Sequence, residues 1–368
     1  MIKFLHTSDL QLDAPFGFLG ERGAAHRQRV RDTLNRIVDL AQRDSYHALL
    51  ISGDLFNDNR PSRSTVSFVI QTLSKLTIPV CILPGNHDCY DKNSIYRKME
   101  FPRNVHILSD VPSYLDLPEL DLTVTGNALL TRHGHESSLK GISRKGDRQW
   151  FVVLAHGNVQ IPGVVENAER PIQLHEIEAC GADYVALGDW HKLADYSQGR
   201  VKAFYSGAPE PMALDQDGAG YVVGVTLSDK GVEVNPIHIG TVGVGRLNLD
   251  VTDLSEDAVL TQIKAKAGPT LMLDVTLSGL TSVGQVLDVD QVRDAAAKDF
   301  YYLRVSDQSH VELANIDPSE FPEIQVIGQY VRMLSQRISQ ANNERDRRIA
   351  ERALQLGIAL LRGESMPE

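Results

Sequence analysis

Cysteine, positive charge and long apolar runs are all scarce in this chain of 368 residues. The three cysteines, Cys81, Cys89 and Cys180, make neither a paired disulfide framework nor a metal-type cluster, so we expect buried, reduced thiols. No segment approaches the roughly 18 uninterrupted apolar residues of a membrane helix. The N-terminus MIKFLHTSDL lacks the apolar region and cleavage site of a signal peptide, which predicts a cytoplasmic protein without a membrane segment.

The deficit of positive charge amounts to a formal net charge of −11 at pH 7. Phosphate contacts need Lys and Arg, so this balance argues against a protein that coats nucleic acid. Basic residues are local: the stretch RGAAHRQRVRD, the pair Arg60 and Arg63, and the stretch RHGHESSLKGISRKGDR. A solvated helix face explains the first equally well, whereas loops that rim a common site would suit a polynucleotide backbone.

Apolar runs that end in polar residues are the main pattern of the first two hundred residues. Six such runs predict strands: MIKFLHTSD, ALLISGDLF, PVCILPGNHD, VHILSD, FVVLAHGN and YVALGDWHK. Helical spacing marks RQRVRDTLNRIVDLAQRD and RSTVSFVIQTLSKL between the first three strands. Helices that cross between strands predict a layered α/β fold with a partly parallel sheet.

The chain is long enough for more than one domain. Two alternating runs near residues 221 to 239 predict an antiparallel hairpin that closes a first domain at 1–240. Strand and helix patterns then predict a small α/β domain at 246–310. Strong helix formers over 318–368 predict a helical tail, which either packs on its own domain or offers an apolar stripe to a partner.

Polar groups with metal-binding or catalytic chemistry follow five of the predicted strands. Each signal alone is weak, because a single histidine after a strand is more often a hydrogen-bonded core residue than a ligand. Loops at the carboxyl ends of strands converge, however, and the whole ordered set favours one shared site. Its members are Asp9, Gln11, Asp54, Asn86, His87, Asp88, His156, Asp189 and His191.

In its motifs the chain resembles the calcineurin-like metallophosphoesterases, whose usual pattern is D-x-H, G-D, G-N-H-[DE], H and G-H-x-H. It is most similar to the SbcD and YhaO type, the nuclease subunits of double-strand-break repair complexes. The segments HTSDLQLDAPF, ISGDLFND, LPGNHD, YVALGDWHK and YSGAPEP carry the likeness, which covers roughly residues 1 to 240. The resemblance implies a two-sheet sandwich flanked by helices, with a small α/β capping domain and a helical tail.

The resemblance also implies a role for each motif residue. Asp54 would be the carboxylate that bridges two metal ions. One ion would be completed by Asp9, Gln11 and His191, and the other by Asn86, His156 and Asp189. His87 would face the scissile phosphate as the general acid, and Asp88 would fix its imidazole. Two cations about 3.5 to 4 Å apart clamp a phosphate and lower the pKa of a shared water molecule.

Three positions depart from the family pattern. Gln11 and Asp189 each replace an imidazole by an oxygen donor, and oxygen-rich sites favour Mn first, with Fe or Mg as the alternatives. The alternative is that these two replacements have led to the loss of one metal or of activity. Asn57 stands where repair nucleases of the SbcD type usually have histidine, so exonuclease activity is less well supported than phosphoesterase chemistry.

Three hypotheses follow for the function. The first is a two-metal phosphodiesterase that acts on DNA. It would be the nuclease subunit beside an SbcC-like or YhaN-like coiled-coil ATPase, and it could also form a homodimer. The second is a small-molecule phosphoesterase with the same centre. The third is a catalytically weak subunit that binds DNA or a partner through an altered metal site.

Overall fold

The structure is a computed structural model, which describes residues 1–161, 169–281, 287–311 and 326–361. The chain forms two compact units. The first consists of Met1–Gly245 with Thr270–Met272, and the second of Arg246–Pro269 with Leu273–Glu368. The three-part domain division predicted from the sequence stays a prediction. Residues 318–325 and 362–368 of the predicted tail lie outside the described residues.

The first unit is built mainly from strands. In chain order they are β1 (Ile2–Thr7), β2 (Ala48–Ser52), β3 (Val80–Leu83), β4 (Val105–Ile107), β5 (Ser113–Leu117), β6 (Leu122–Gly126), β7 (Trp150–His156), β8 (Asn158–Val159), β9 (Pro171–Ile172), β10 (Tyr184–Gly188), β11 (Ala194–Asp195), β12 (Lys202–Tyr205), β13 (Tyr221–Ser228) and β14 (Gly231–His238). Its α-helices are α1 (Gly23–Arg43), α2 (Arg63–Leu73), α3 (Ile95–Lys98) and α4 (Leu174–Ala179), and its 3₁₀ turns are Gly17–Arg22 and Pro118–Leu120.

Two six-stranded sheets organise these strands. The first has the order β14-β13-β1-β2-β3-β4, in which β1 to β4 are parallel and the hairpin of β13 and β14 is antiparallel. The second has the order β11-β12-β10-β7-β6-β5, with a parallel centre and antiparallel edge strands. The predicted α/β class, the two sheets flanked by helices and the hairpin near 221–239 are confirmed.

The main apolar core contains side chains from both sheets. Phe4 and Leu50 of the first sheet belong to one buried cluster with Val152 and Leu154 of the second. Residues that point to the opposite face of these strands, such as Leu49, are buried as well. Strands buried on both faces read as continuous apolar runs, which is why ALLIS and FVVLA show little alternation.

Helices α1 and α2 connect the first three parallel strands. In α1 the buried side chains include Val30, Leu34, Ile37 and Ala41, at the three- and four-residue spacing of one helical face. The hydroxyl of Ser62 accepts the Thr65 backbone N–H at 3.2 Å and so caps α2. Because each helix returns the chain to the start of the next strand, the carboxyl ends of β1, β2 and β3 lie at the same sheet edge.

The second unit contains a three-stranded sheet with the order β15-β16-β18. Its elements in chain order are β15 (Gly243–Asp250), α5 (Glu256–Lys264), β16 (Gly268–Ser278), β17 (Leu280–Thr281), α6 (Val289–Ala296), a 3₁₀ turn (Ala297–Asp299), β18 (Phe300–Asp307), β19 (His310–Val311), α7 (Val326–Ser339) and α8 (Glu344–Leu361). Helices α7 and α8 pack on each other through Val331, Leu334 and Leu354. Among the described helices, none combines the length and the apolar character that crossing a membrane requires.

His6 predicts a pH dependence of stability. Burial lowers the pKa of His6 to about 3 from 6.5, and its Nδ1 lies 3.0 Å from the Tyr184 hydroxyl. The folded pKa lies below the unfolded one, so the unfolded chain gains protons first and stability falls as the pH falls below about 6.5. Between pH 8 and pH 5 this contribution is about 2 kcal/mol.

The His6→Gln variant should lack that part of the pH dependence. Urea unfolding followed by tryptophan fluorescence at pH 8 and pH 5 measures it, because both tryptophans, Trp150 and Trp190, belong to the first unit. An equal loss of stability in wild type and variant would contradict the assignment.

Candidate metal centre

The predicted site residues come from the carboxyl ends of strands in both sheets. Asp9, Asp54 and Asn86 follow β1, β2 and β3 of the first sheet, whereas His156 ends β7 and Asp189 follows β10 of the second. The two sets meet. The Asp189 backbone N–H donates to Asp9 Oδ2 at 3.1 Å, and His156 Nε2 lies 3.5 Å from Asp54 Oδ1.

The backbone bends sharply at four of the predicted ligands. Asp9, Gln11, Asp54 and Asp189 have φ values of 54°, 41°, 52° and 96°. Side-chain-bearing residues rarely adopt this left-handed region, although Asp does so more readily than most. Backbone hydrogen bonds hold the bends, from Asp9 N to Gly53 O at 3.1 Å and from Gln11 N to Asp54 O at 2.9 Å. Such strain is typical of functional sites.

The carboxylate of Asp54 lies at the middle of the group. Its Oδ1 accepts the His87 backbone N–H at 2.9 Å and lies 3.5 Å from His156 Nε2. Its Oδ2 lies 3.4 Å from Gln11 Nε2 and 3.9 Å from His87 Nε2. The two oxygens of one buried carboxylate therefore face different sets of side chains.

The imidazole of His156 is held in a defined tautomer. Its Nδ1 lies 2.9 Å from the carbonyl oxygen of Ser52, which can only accept, so Nδ1 carries the proton. The lone pair of the neutral Nε2 then faces three oxygens, those of Asn86 at 3.0 Å and of Asp54 and Asp189 at 3.5 Å each. Four converging electron pairs are stable only around a proton or a metal cation.

The charges of the group indicate a metal cation. Ligand atoms of Asp9, Asp54 and His156 lie within 4.8 Å of one another, and all three residues are buried. Burial, together with the charges of Asp9 and Asp54, raises the pKa of Asp189 to about 6 against the opposing effect of His156. Burial also opposes charge on His156, yet the surrounding carboxylates raise its pKa well above 6.5. Clustered buried carboxylates of this kind suit divalent cations, so the residues present fit the implied metals.

The sequence did not reveal the role of Gln216 behind His191. Gln216 Oε1 accepts the Met212 backbone N–H at 2.7 Å, and its Nε2 contacts His191 Nδ1. The Nε2 atom of His191 lies 3.7 Å from Asp9 Oδ1 and 3.4 Å from Gln11 Nε2. Both amide nitrogens beside this ring can only donate, so these contacts do not fix the tautomer of His191. His191 thus lacks the defined tautomer that the Ser52 carbonyl gives to His156.

His87 lies at the accessible side of the group. Its side chain is 25% exposed, whereas that of Asp54 is 2% exposed. His87 Nδ1 donates to the backbone oxygen of Asn57 at 2.8 Å. The imidazole is therefore oriented by the Asn57 carbonyl, with Nε2 on the side of Asp54.

The structure corrects the expected role of Asp88, which does not fix the His87 ring. Its carboxylate accepts three other hydrogen bonds, from Gly85 N at 2.8 Å, Phe56 N at 3.0 Å and the Tyr96 hydroxyl at 2.6 Å. Burial, together with the charge of Asp54, raises the pKa of Asp88 to about 6 against the opposing effect of these hydrogen bonds. Asp88 thus holds together the two loops that carry Asp54 and His87.

Asn158 is a second residue that the sequence interpretation missed. Its Nδ2 donates to Asp189 Oδ2, which leaves Oδ1 directed at His156. The segment HGN did contain a signal, because an amide two residues after a strand-end histidine can reach a neighbouring carboxylate. Asn158 therefore orients the acid that replaces the family's usual histidine.

Glycines in the motifs permit the close approach of these loops. A Cβ at Gly85 would lie 2.1 Å from Asp54 Oδ1, and one at Gly188 would lie 1.9 Å from the Ser52 carbonyl oxygen. Neither contact is tolerable without movement of the site. This explains the glycines of GNHD and GDWH in physical terms.

Gly85→Ala should displace the Asp54 carboxylate and so lose metal binding. Isothermal titration with Mn²⁺ measures this loss, and circular dichroism checks that the variant is folded. Gly17→Ala is the matched control, because a Cβ there meets nothing within 4 Å. Unchanged Mn²⁺ affinity in folded Gly85→Ala would contradict the packing described.

Two packed sheets with a buried group of Asp9, Asp54 and His156 at their strand ends form a site that could hold a metal ion. The family model of the calcineurin-like phosphoesterases matches residues 2–193, and the chain belongs to that family. The resemblance seen in the motifs is thereby confirmed.

Several curated proteins are similar over most of their length. The metallophosphoesterase YhaO of Bacillus subtilis is 24% identical over 86% of this chain and 85% of its own. The SbcD component of the nuclease SbcCD from the same organism is 25% identical over 84% of this chain and 81% of its own. The DNA double-strand break repair protein Mre11 of Sulfurisphaera tokodaii is 25% identical over 68% of this chain and 63% of its own.

Proposed function

We propose that the protein is a two-metal-dependent phosphodiesterase that cleaves DNA as the nuclease subunit of a repair complex. The observation that carries the proposal is the position of Asp54, whose Oδ1 lies 3.5 Å from His156 Nε2 while its Oδ2 lies 3.4 Å from the side-chain amide nitrogen of Gln11. A single bridging carboxylate of this kind is what a pair of closely spaced cations requires.

The contacts support a division of the ligands into two positions. Asn86, Asp189 and the Oδ1 of Asp54 converge on His156 Nε2. Gln11 lies on the Oδ2 side, and His191 connects it to Asp9. We assign the first set to one cation and the second set to the other, in agreement with the roles that the family resemblance implies.

The chain supplies positioning and proton transfer. Two bound divalent cations would neutralise the phosphate and lower the pKa of a water molecule held between them. As the imidazolium, His87 gives its Nε2 proton to the leaving oxygen and returns to the neutral ring, while its Nδ1–H stays hydrogen-bonded to the Asn57 carbonyl. Asp88 keeps this imidazole in place indirectly, through the loops that it joins.

The donor set favours manganese, with iron or magnesium as alternatives. Carboxylate and amide oxygens outnumber imidazole nitrogens among the assigned ligands, and oxygen donors suit Mn and Mg better than softer metals. The two positions are unequal. His156 presents a lone pair because the Ser52 carbonyl fixes its tautomer, whereas His191 contacts two amide donors and no carbonyl that would fix its ring. We infer that the position of Gln11 and His191 binds its cation more weakly.

The names of the relatives support the choice of DNA as substrate. One is part of a nuclease and another is a double-strand break repair protein. By this likeness we propose that the chain acts in the cytoplasm with an SbcC-like or YhaN-like ATPase, and that α7 and α8 are the segment that binds it. A homodimer is compatible with the same arrangement.

His87→Ala tests the general acid. We expect a loss of about 10² to 10⁴ in kcat on DNA, the usual contribution of acid–base catalysis. The loss on bis-p-nitrophenyl phosphate should be smaller, because p-nitrophenolate leaves without protonation. Both rates are measured with added Mn²⁺, and His133→Ala, an exposed histidine paired with Glu169, serves as control. Equal losses on the two substrates would rule out the proton-donor role.

Gln216→Glu tests the weaker cation position. A carboxylate in place of the amide would accept from His191 Nδ1 and free Nε2 to bind metal, as carboxylate–histidine pairs do in other metal sites. The Mn²⁺ concentration for half-maximal hydrolysis should fall about tenfold. A rise in that concentration would show that His191 is not a ligand.

A further inference from the structure

A cavity of about 500 Å³ adjoins the metal centre, and Asn57 belongs to both. On one side the Asn57 carbonyl orients His87, and on the other Asn57 lines the cavity together with three arginines, Arg27, Arg31 and Arg60. This concentration of positive charge stands out in a chain of net charge −11.

The two acids of the cavity wall are already engaged. Asp13 accepts the Ser62 backbone N–H at 2.7 Å and contacts the Arg31 guanidinium at 3.3 Å. Asp58 Oδ1 accepts the Arg60 backbone N–H at 2.6 Å. Three cations face two acids here, so the lining keeps an excess of positive charge.

Arg27 and Arg60 each have guanidinium N–H groups that are available to a ligand. Arg27 Nη1 donates to the Pro15 carbonyl at 2.8 Å, which uses one of the five N–H groups of its guanidinium. Arg60 is exposed, and its guanidinium has no hydrogen-bond or ion-pair partner within the described part of the chain. Guanidinium groups match the geometry of phosphate oxygens.

We propose that this arginine-lined cavity binds a phosphodiester group that flanks the scissile one in a polynucleotide strand, with Arg27 and Arg60 as donors. The proposal rests on the nuclease function proposed above. A strand whose scissile phosphate contacts His87 passes Asn57 and enters the cavity. Contacts to such a phosphate hold the strand in register without reading its sequence.

Binding without hydrolysis tests the proposal directly. Fluorescence anisotropy with labelled single-stranded oligothymidylate, in EDTA and at several salt concentrations, gives the affinity and its salt dependence for the full chain. Arg60→Ala and Arg27→Ala should each weaken binding about tenfold at low salt. Each should also reduce the slope of log K against log salt by about 0.7, the value for one phosphate contact on a single strand.

Arg63→Ala is the matched control, because Arg63 is also exposed and is absent from the cavity wall. It should keep the wild-type slope. Equal loss in Arg63→Ala, an unchanged slope in Arg60→Ala, or no binding by the wild type would overturn the proposal. Inorganic phosphate that binds with the same dependence on Arg60 would show a free-anion site instead, and would also overturn it.

Measuring DNA hydrolysis as well as strand binding distinguishes a failure of this proposal from a failure of the proposed function. Wild-type protein that binds the strand with an Arg60-dependent slope but hydrolyses no DNA with any metal would support the cavity and contradict the nuclease. DNA hydrolysis together with a slope that Arg60→Ala leaves unchanged would support the nuclease and contradict the cavity.

Discussion

The buried carboxylate of Asp54 is the constraint on which the rest of the centre depends. It is buried, and each oxygen faces a different group of side chains. Burial opposes its charge, but His156 and His87 hold its pKa below the usual value. A buried carboxylate that stays ionised needs cationic partners and hydrogen-bond donors. This requirement explains why imidazoles and amides lie around it.

The close packing of the site follows from this requirement. Loops from two sheets must come within a few ångströms of one another around Asp54. The chain therefore has glycine at Gly85 and Gly188, where a side chain would collide with its neighbours. Asp88 then joins the loops through hydrogen bonds with both backbones and with Tyr96. The fold brings together the carboxyl ends of parallel strands from the two sheets. The motifs place side chains there that are short enough to fit in the same space.

Much of the fold was predictable because local patterns decide it. Apolar runs that end in Asp or Asn mark buried parallel strands, and the stripe of α1 marks a helix that covers them. The meeting of Asp9, Asp54 and His156 followed from their shared place at strand ends, while their roles as ligands stay predictions. The partners of individual atoms were not predictable. Asp88 lies next to His87 in sequence, yet its hydrogen bonds go to Tyr96 and to two backbone groups, because loop packing selects them.

Gln216 is the clearest case of information that only the tertiary structure holds. No pattern connects it to His191, since the contact depends on how the loop after β12 folds back. The same contact bears on the exchange of ligand types at Gln11 and Asp189. Asn158 orients the Asp189 carboxylate, whereas the amides of Gln11 and Gln216 both face the His191 ring and do not fix its tautomer. The centre is thus asymmetric by construction.

Manganese binding to the metal-free protein, followed by isothermal titration with the stoichiometry checked by elemental analysis, tests the central claim most directly. Asp54 as a bridging carboxylate predicts two Mn²⁺ ions per chain, bound with clearly different affinities. A single ion per chain at saturating Mn²⁺ would show that Asp54 bridges nothing, and would contradict the account.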